Sequence, residues 1–220
     1  MVNRPTSERR ASLAAVILMV SWAITACSSG PPPPPPTQGL PYEEELTTFR
    51  ADKDQYFRTG ERSPLVESER KGFPGLLYFP IDPAYRVPAV LREEPGSAVV
   101  IALETSKNQY DKMRRVGTLE FTVAGTPLAL TAFAPAEASV VTRLFVPFRD
   151  GTTGLETYAG GRYLDLDRTP SGIYDLDFNR AYHPNCVFNS EWECPVPPRE
   201  NRLPVPIRVG EKLSASALVK

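Results

Sequence analysis

Short apolar segments that end at proline or glycine succeed one another along most of this chain. The stretch 118–123 alternates, with Leu119 and Phe121 on one side and Glu120 on the other, which is typical of a strand with one buried face. Because no helix-length pattern separates the segments, antiparallel connections are favoured. We predict a mainly β fold, an antiparallel meander forming a barrel or a sandwich. The predicted strands are 76–81, 86–91, 97–103, 118–123, 128–133, 140–148, 162–167, 173–179 and 203–209.

One or two N-terminal helices are expected to pack on this sheet. Residues 42–58 place several large apolar side chains on one face, with Lys53 the only polar residue among them. Acidic residues occupy the first turn, where the helix dipole favours them. Ser63 and Pro64 are typical of a helix start, so a second helix is predicted to end near residue 71.

The first 26 residues have the pattern of a secretory signal. Three arginines precede an apolar run over 11–24, which is shorter than the roughly 20 residues that cross a bilayer. The run ends in Ile-Thr-Ala-Cys at 24–27, which resembles the lipobox of bacterial lipoproteins. That resemblance implies cleavage before Cys27 and lipidation of Cys27 with acyl chains such as palmitate, and several acyl chains anchor a protein firmly to a membrane.

The chain is therefore predicted to have three parts. These are a lipoprotein signal peptide (1–26), a lipidated cysteine with a proline-rich spacer (27–41) and a single β-rich domain (42–220). Residues 31–36 are consecutive prolines, which form a semi-rigid polyproline helix. The expected location is the bacterial cell envelope, on the extracytoplasmic side, with the membrane as a partner through Cys27.

Charge and motifs exclude several functional classes. The whole chain has a net charge of −1, and removal of residues 1–26, with three arginines and one glutamate, makes it −3. A nucleic-acid-binding protein needs a basic surface, so no nucleic-acid partner is predicted. The sequence has no glycine-rich phosphate loop, nucleophile elbow or zinc-protease motif, and neither a cofactor nor a metal is predicted.

Two cysteines remain once Cys27 carries lipid. Cys186 and Cys194 form an even pair in an oxidising compartment, which favours a disulfide. A zinc site that includes His183 is an alternative, but a structural zinc site has four ligands, the chain has no second histidine, and the cysteines do not have the C-x2-C spacing. A Cys186 nucleophile activated by His183 is another alternative. His183 itself is expected to lie at the surface.

Residues 162–179 are predicted to form a hairpin. Matching the apolar faces sets Asp165 opposite Asp175, with Asp167 and Asp177 on the same outer face. Facing carboxylates repel each other unless something compensates their charge. We expect each of them to pair with a nearby arginine or lysine, and calcium is the alternative.

Five polar residues are candidates for a ligand site. Arg162 alternates with apolar residues of its strand, so its guanidinium is expected either to bind a ligand's carboxylate or phosphate or to form an internal ion pair with Glu200, Asp177 or a backbone carbonyl. Asn179 and Asn201 flank a proline-rich segment whose carbonyl groups need outside donors. The candidates are Arg162, Asp177, Asn179, Glu200 and Asn201.

Four segments of the chain resemble one known family. They are KDQYFRTGERSPL (53–65), FPGLLYFPID (73–82), ETYAGGRYLDLD (156–167) and the long stretch 174–212. They are similar to domain of unknown function 1684, a family of uncharacterised bacterial and archaeal proteins. The resemblance covers nearly all of the chain after the spacer and implies no particular activity.

Two functions fit these observations. The first is a lipid-anchored, non-catalytic binding or structural module of the cell envelope, with a small molecule or an envelope component as its partner. The alternative is a small hydrolase-like enzyme. In that case Arg162, Asp177, Asn179 and Glu200 would line one pocket.

Overall fold

A computed structural model describes residues 41–93 and 100–214. This part of the chain contains helix α1 (Tyr42–Thr59), which matches the prediction, and helix α2 (Glu67–Arg70), which is shorter than predicted. Its strands are β1 (Leu77–Tyr78), β2 (Arg86–Glu93), β3 (Val100–Glu104), β4 (Tyr110–Val123), β5 (Thr126–Pro135), β6 (Arg143–Phe148), β7 (Arg162–Asp167), β8 (Ile173–Asp177) and β9 (Glu211–Lys212).

The strands form one antiparallel, barrel-like sheet and a small separate ribbon. In the sheet of seven strands the order is β7-β6-β5-β4-β2-β8, and β3 pairs with β4 as well. The long strand β4 pairs with β3 near its start and with β2 near its end. The two ends of the order, β7 and β8, lie close together without forming a ladder. The prediction of a mainly β, antiparallel fold is confirmed, and the sheet is nearly closed.

Alternation along the strands fills the inside of this barrel. Leu119, Phe121 and Val123 of β4 are buried, as their spacing predicted, and so are Leu164 and Leu166 of β7. Burial of such side chains contributes about 1.5–3 kcal/mol each relative to their exposure. A second, smaller apolar cluster lies on the other face of the sheet and consists of Leu103, Met113 and Phe133 with Phe145 against them.

The predicted hairpin 162–179 is wrong. Strand β7 pairs with β6, so that Asp165 lies opposite Phe145, and β8 pairs with β2, so that Asp175 lies opposite Pro88. The apolar faces of β7 and β8 still point to a common core, but they do so across the seam of the barrel. Curvature of the sheet replaces direct pairing.

The predicted strand 203–209 is also absent, because prolines at 204 and 206 lack the N–H groups of a ladder. The segment is irregular, and side chains or loops satisfy its polar groups instead. Gly151 N donates to Val205 O at 3.1 Å, and Leu203 N donates to Arg149 O at 2.8 Å. Pairing resumes only at β9, which forms the ribbon with β1.

Helix α1 packs on the end of β8 and on segments that follow it. Tyr42 Oη donates to Asp177 at 2.9 Å, and the ring of Phe57 lies 4.9 Å from that of Phe188, centre to centre. The polar residue on its apolar face, Lys53, forms an ion pair with buried Glu211 at 2.6 Å. That ion pair explains why a lysine interrupts the apolar face.

The predicted signal peptide, the lipidated Cys27 and the proline spacer lie outside the described residues. Within residues 41–93 and 100–214, neither helix has the length and the apolar character that a membrane crossing requires.

Candidate functional site

Arg162 points into the barrel, where a buried network holds it. Its guanidinium forms an ion pair with Asp150 at 2.8 Å, and both side chains are 1% exposed. It also donates to the carbonyl oxygens of Ile207 (2.7 Å), Val209 (2.5 Å) and Glu211 (3.1 Å). The internal ion pair was predicted, but its partner is Asp150 and not Glu200 or Asp177. The backbone carbonyls were predicted correctly.

This network explains how the irregular segment after residue 203 is held. Burial lowers the pKa of Arg162 from its ordinary value, and Asp150 opposes that effect. The other oxygen of the Asp150 carboxylate, Oδ1, accepts from Thr152 N at 2.8 Å and from Thr152 Oγ1 at 2.6 Å. Gly161 has φ of +96°, and a Cβ there would lie 2.5 Å from Phe148 O, so only glycine brings Arg162 into this position.

Glu211 forms a second buried charged group beside the first. It is 1% exposed, pairs with Lys53, and accepts from His183 N at 2.8 Å. Burial alone would raise the pKa of Glu211, but Lys53 and His183 together lower it to about 2. The side chain of His183 also lies against Glu211, with Nδ1 at 3.5 Å from Oε2.

The expectation that His183 is a surface residue is wrong. It is 2% exposed, because it lies between Glu211 and the backbone of Tyr158, whose N–H donates to His183 Nε2 at 3.4 Å. Burial lowers its pKa, Glu211 opposes that effect, and Arg162 and Lys53 add to it.

Asp177 and Asn179 brace the short helical turn after β8. Asp177 Oδ1 accepts from Asn179 N at 3.0 Å and from Asn179 Nδ2 at 3.1 Å, and Oδ2 pairs with Arg180 at 3.4 Å. The amide of Asn179 exchanges two hydrogen bonds, of 3.0 and 2.9 Å, with the backbone of Asp82. These groups therefore join the turn to the segment before β2.

Asn201 joins β5 to β6 where their ladder opens. The two strands are paired only at Phe133 and Phe145. Further along, Asn201 Oδ1 accepts from Thr131 N at 2.8 Å, and Asn201 Nδ2 donates to Thr131 O at 2.8 Å and to Pro147 O at 2.7 Å. The side-chain amide thus takes the place of a neighbouring strand. It serves β5 and β6 and not the proline-rich segment for which it was predicted.

The five candidate residues therefore do not form one site. Asp177 and Asn179 lie together, whereas Arg162 and Asn201 belong to separate buried networks. Glu200 lies at the surface, with its side chain 45% exposed and 3.7 Å from Arg115. The arrangement is one of local braces, so the pocket required by the hydrolase alternative is not assembled from these side chains.

The four aspartates of 165–177 are separated in the same way. Asp167 pairs with Arg143 at 3.3 Å, and Asp175 pairs with Arg86 at 2.5 Å. Asp165 instead accepts from Tyr182 Oη at 2.8 Å. The predicted opposition of Asp165 and Asp175, on which the calcium alternative depended, is absent.

A cavity of about 550 Å³ lies on the outer face of the sheet. One wall is formed by outward-facing residues of β4 to β7, and the other by the segment 182–195 that crosses over them. Its lining is mostly apolar and aromatic and includes Met113, Ala134, Val140, Phe145, Tyr163 and Trp192. We refer to this cavity as the outer pocket.

The polar groups of the outer pocket are mostly engaged by neighbours. Asp165 accepts from Tyr182, Tyr163 Oη donates to Pro195 O, and Glu193 accepts from Thr105. The rings of Phe145 and Tyr163 meet edge to face at 4.8 Å. The pocket therefore offers shape and aromatic contact more than free charges.

Cys186 and Cys194 lie in the segment that covers this pocket, and both are free thiols in the structure. Cys186 N donates to Cys194 Sγ at 3.2 Å, so the two residues lie next to each other. The disulfide between them stays a prediction. Within the described residues, no group of three or more His, Cys, Asp or Glu side chains is arranged to hold a metal ion.

The model of one protein family matches residues 71–212, and its description is "Protein of unknown function (DUF1684)". The chain belongs to this family. A solution NMR structure of an uncharacterized protein from gene locus rrnAC0354 of Haloarcula marismortui is 38% identical, covers 79% of this chain and 95% of its own, and has a TM-score of 0.62. No curated protein matches the chain.

The DUF1684 match includes every lining residue of the outer pocket, and none of them was among the five candidates for a ligand site. One signal could have indicated them. Residues 144–148 of β6, Leu-Phe-Val-Pro-Phe, are apolar in both phases, which is typical of a strand covered on both faces. A second layer over β6 was therefore predictable, although its identity as the segment 182–195 was not.

Proposed function

We propose that this protein is a lipid-anchored, non-catalytic binding module of the bacterial cell envelope, and that the outer pocket takes up a small, largely apolar molecule. The observation that supports the binding role is the pocket itself. Its volume of about 550 Å³ lies within the range of roughly 300–1,000 Å³ that ligand sites occupy.

The chemistry of the lining favours an aromatic or aliphatic ligand over a charged one. Phe145 and Trp192 present aromatic rings to the cavity, and aromatic side chains bury large areas on binding. The oxygens of Asp165, Tyr163 and Glu193 already have protein partners. A charged ligand would have to displace those bonds, and an apolar ligand would leave them intact.

The anchor is proposed from the sequence. The apolar run before residue 24 and the cysteine at 27 favour export and lipidation, and the six prolines after them favour a stiff separation of domain and membrane. The membrane and a small envelope molecule are the partners that this proposal assigns.

Filling the pocket tests the binding role. Ala138 lines the outer pocket and Ala136 does not, although the carbonyl oxygens of both accept from Arg114 and both are partly exposed. We expect native mass spectrometry of the detergent-solubilised chain to show a bound small molecule in the parent and in Ala136→Trp, and to show none in Ala138→Trp.

Equal retention of the molecule by both tryptophan variants would place the site elsewhere. A parent chain that carries no adduct and also fails to bind added 2-naphthol would remove the binding role.

Metabolic labelling with an alkyne analogue of palmitate, followed by cell fractionation, tests the anchor. We expect label and membrane association in the parent and in Cys186→Ala, which keeps Cys27, and neither in Cys27→Ala. Label that persists in Cys27→Ala, or a parent without label, would contradict lipidation at this cysteine.

A further inference from the structure

The segment that bears Cys186 and Cys194 is held against the turn after β3. Ser106 N donates to Cys194 O at 2.9 Å, and Cys194 N donates to Ser106 Oγ at 3.2 Å. Val196 N donates to Glu104 O at 2.6 Å. These bonds fix both sides of Cys194, and its Sγ accepts from Cys186 N at 3.2 Å, so the two cysteines are held next to each other.

The two thiols have unequal surroundings. Cys186 is partly exposed, and its neighbours Cys194, Ser106 and Tyr158 lower the pKa of its thiol to about 7, with Cys194 the largest contributor and burial opposing them. Cys194 is buried, and the neighbouring Cys186 raises the pKa of its thiol. Cys186 is therefore the cysteine that a reagent in solution reaches more easily.

We propose that Cys186 and Cys194 form a thiol–disulfide exchange centre, in which Cys186 is the attacking sulfur and Cys194 the resolving sulfur, with a low-molecular-weight disulfide as the oxidant. This activity does not depend on the ligand of the outer pocket. It also differs from a permanent structural disulfide, because the pair opens and closes.

The exchange balances in two steps. The thiolate of Cys186 attacks one sulfur of the disulfide RS–SR, a bond forms between Cys186 and that sulfur, and RS⁻ leaves. Cys194 then loses its proton to the released RS⁻ and attacks Cys186, which forms the Cys186–Cys194 bond and releases a second RS⁻ that takes a proton from water. Two protein thiols are oxidised, and one small disulfide is reduced to two thiols.

The geometry supports each step. Cys186 is partly exposed, so a small reagent can reach it. Once Cys186 is in a mixed disulfide, it is no longer a thiolate. It therefore stops raising the pKa of Cys194, and Cys194 can ionise. The N–H of Cys186 already points to Cys194 Sγ at 3.2 Å, and it would stabilise the thiolate that forms there. Cys194 also lines the outer pocket, so the second sulfur is not enclosed on all sides.

Trapping the intermediate tests the assignment of roles. The full chain carrying Cys27→Ser, which leaves Cys186 and Cys194 as its only cysteines, is reduced, incubated with oxidised glutathione and analysed by intact mass and peptide mapping. We expect the parent to lose both thiols without an adduct and to release two glutathione molecules per disulfide formed. Cys194→Ser should accumulate glutathione on Cys186, and Cys186→Ser should react at least about tenfold more slowly, since Cys194 is buried. Reduced glutathione in excess should reopen the bond in the parent.

A pH profile separates this role from a purely structural one. In Cys194→Ser, alkylation by iodoacetamide follows the thiolate of Cys186. The titratable or charged groups around the pair are Tyr158, Tyr163, Arg149 and Asp111. We expect Tyr158→Phe in this background to slow alkylation at pH 7 by about fivefold, since loss of one bond to a charged group is worth about one pKa unit. Tyr56→Phe, whose hydroxyl donates to Arg62 O instead, should leave the rate unchanged.

Three results would overturn the proposal. The first is glutathione adduct formation in Cys186→Ser as fast as in Cys194→Ser. The second is a bond in the parent that excess reduced glutathione does not open. The third is no reaction of the reduced parent although its circular dichroism and thermal melt show a folded chain.

Discussion

On strand β7, Arg162 points into the barrel, and Tyr163 and Asp165 point out of it toward the outer pocket. The inward side chain is fully enclosed, and its charge is matched by Asp150 and three carbonyl groups. The outward side chains keep one hydrogen bond each, to Pro195 and Tyr182, beside an open cavity. Neighbouring polar residues of one strand therefore differ in role. Arg162 stabilises the fold, whereas Tyr163 and Asp165 line a cavity.

Burial and hydrogen-bond partners distinguish the structural from the functional polar groups of this protein. An inward polar side chain whose donors are all bonded to backbone carbonyls or to an opposite charge has no free hydrogen-bonding group for a ligand. On the outer face, partial exposure and empty volume leave room for one. The comparison predicts that substitutions on the inner face act on stability and that those on the outer face act on binding or reactivity.

Arg162→Ala should have the largest effect on stability. It leaves Asp150 buried without its cation and removes the donor to Ile207, Val209 and Glu211. Removal of one partner of a buried ion pair costs about 3–5 kcal/mol. We expect a loss of that size in the free energy of unfolding, measured by urea denaturation. Arg143→Ala, which breaks an exposed pair with Asp167 on the outer face, should cost no more than about 1 kcal/mol.

If the two arginine variants lost the same stability, the difference between the two faces of β7 would have no energetic basis.

Asn201→Ala should have the next largest effect. The backbone groups of Thr131 and the carbonyl of Pro147 would lose their partner in a buried site, and an unsatisfied buried group costs about 1–3 kcal/mol. We expect a loss of about 3 kcal/mol in the free energy of unfolding. Asn189→Ala removes a bond to Glu191 N at an exposed position, and it should cost less than about 1 kcal/mol. A small loss for Asn201→Ala would mean that β5 and β6 hold together without it.

Local pattern predicted more of the fold than of the candidate site. The strand at 162–167 and helix α1 were predictable because each has a regular apolar period that burial rewards. The pairing of β7 with β6 was not predictable, because it depends on closure of the whole sheet. Asp150, the partner of Arg162, lies in a turn whose sequence is ordinary turn chemistry, so nothing local indicated it. The outer pocket depends on the path of the segment 182–195. This proline-containing segment has no regular apolar periodicity from which its path could be predicted.

The pH dependence of stability probes the inner face through His183, the only histidine in the chain. Burial lowers its pKa in the folded state, whereas in the unfolded chain it titrates near its ordinary value of 6.5. The unfolded state thus binds an extra proton below that pH. Stability is fully present above about 6.5 and falls as the pH decreases, by at most about 1.4 kcal/mol per pH unit.

Urea denaturation between pH 7 and pH 5 measures this slope, and we expect it to disappear in His183→Gln. The loss that begins near pH 4.5 and extends toward 2, where Glu211 has its lowered pKa, should remain in the variant, because a carboxylate with a depressed pKa loses its contribution only as the pH falls through that range. A slope that persists between pH 6.5 and 5 in His183→Gln would assign it to another group.

Tyr182→Phe should have the smallest effect. The change removes one hydrogen bond, from Tyr182 Oη to Asp165, at a position open to solvent, where water can replace the lost donor. It keeps the aromatic ring that lies 4.5 Å from Lys53 Nζ. We expect a loss of no more than about 0.5 kcal/mol in the free energy of unfolding, whereas Tyr163→Phe, whose hydroxyl is covered by Pro195, should lose about 1 kcal/mol. A Tyr182→Phe variant as unstable as Asn201→Ala would show that the outer face holds the fold as tightly as the inner one.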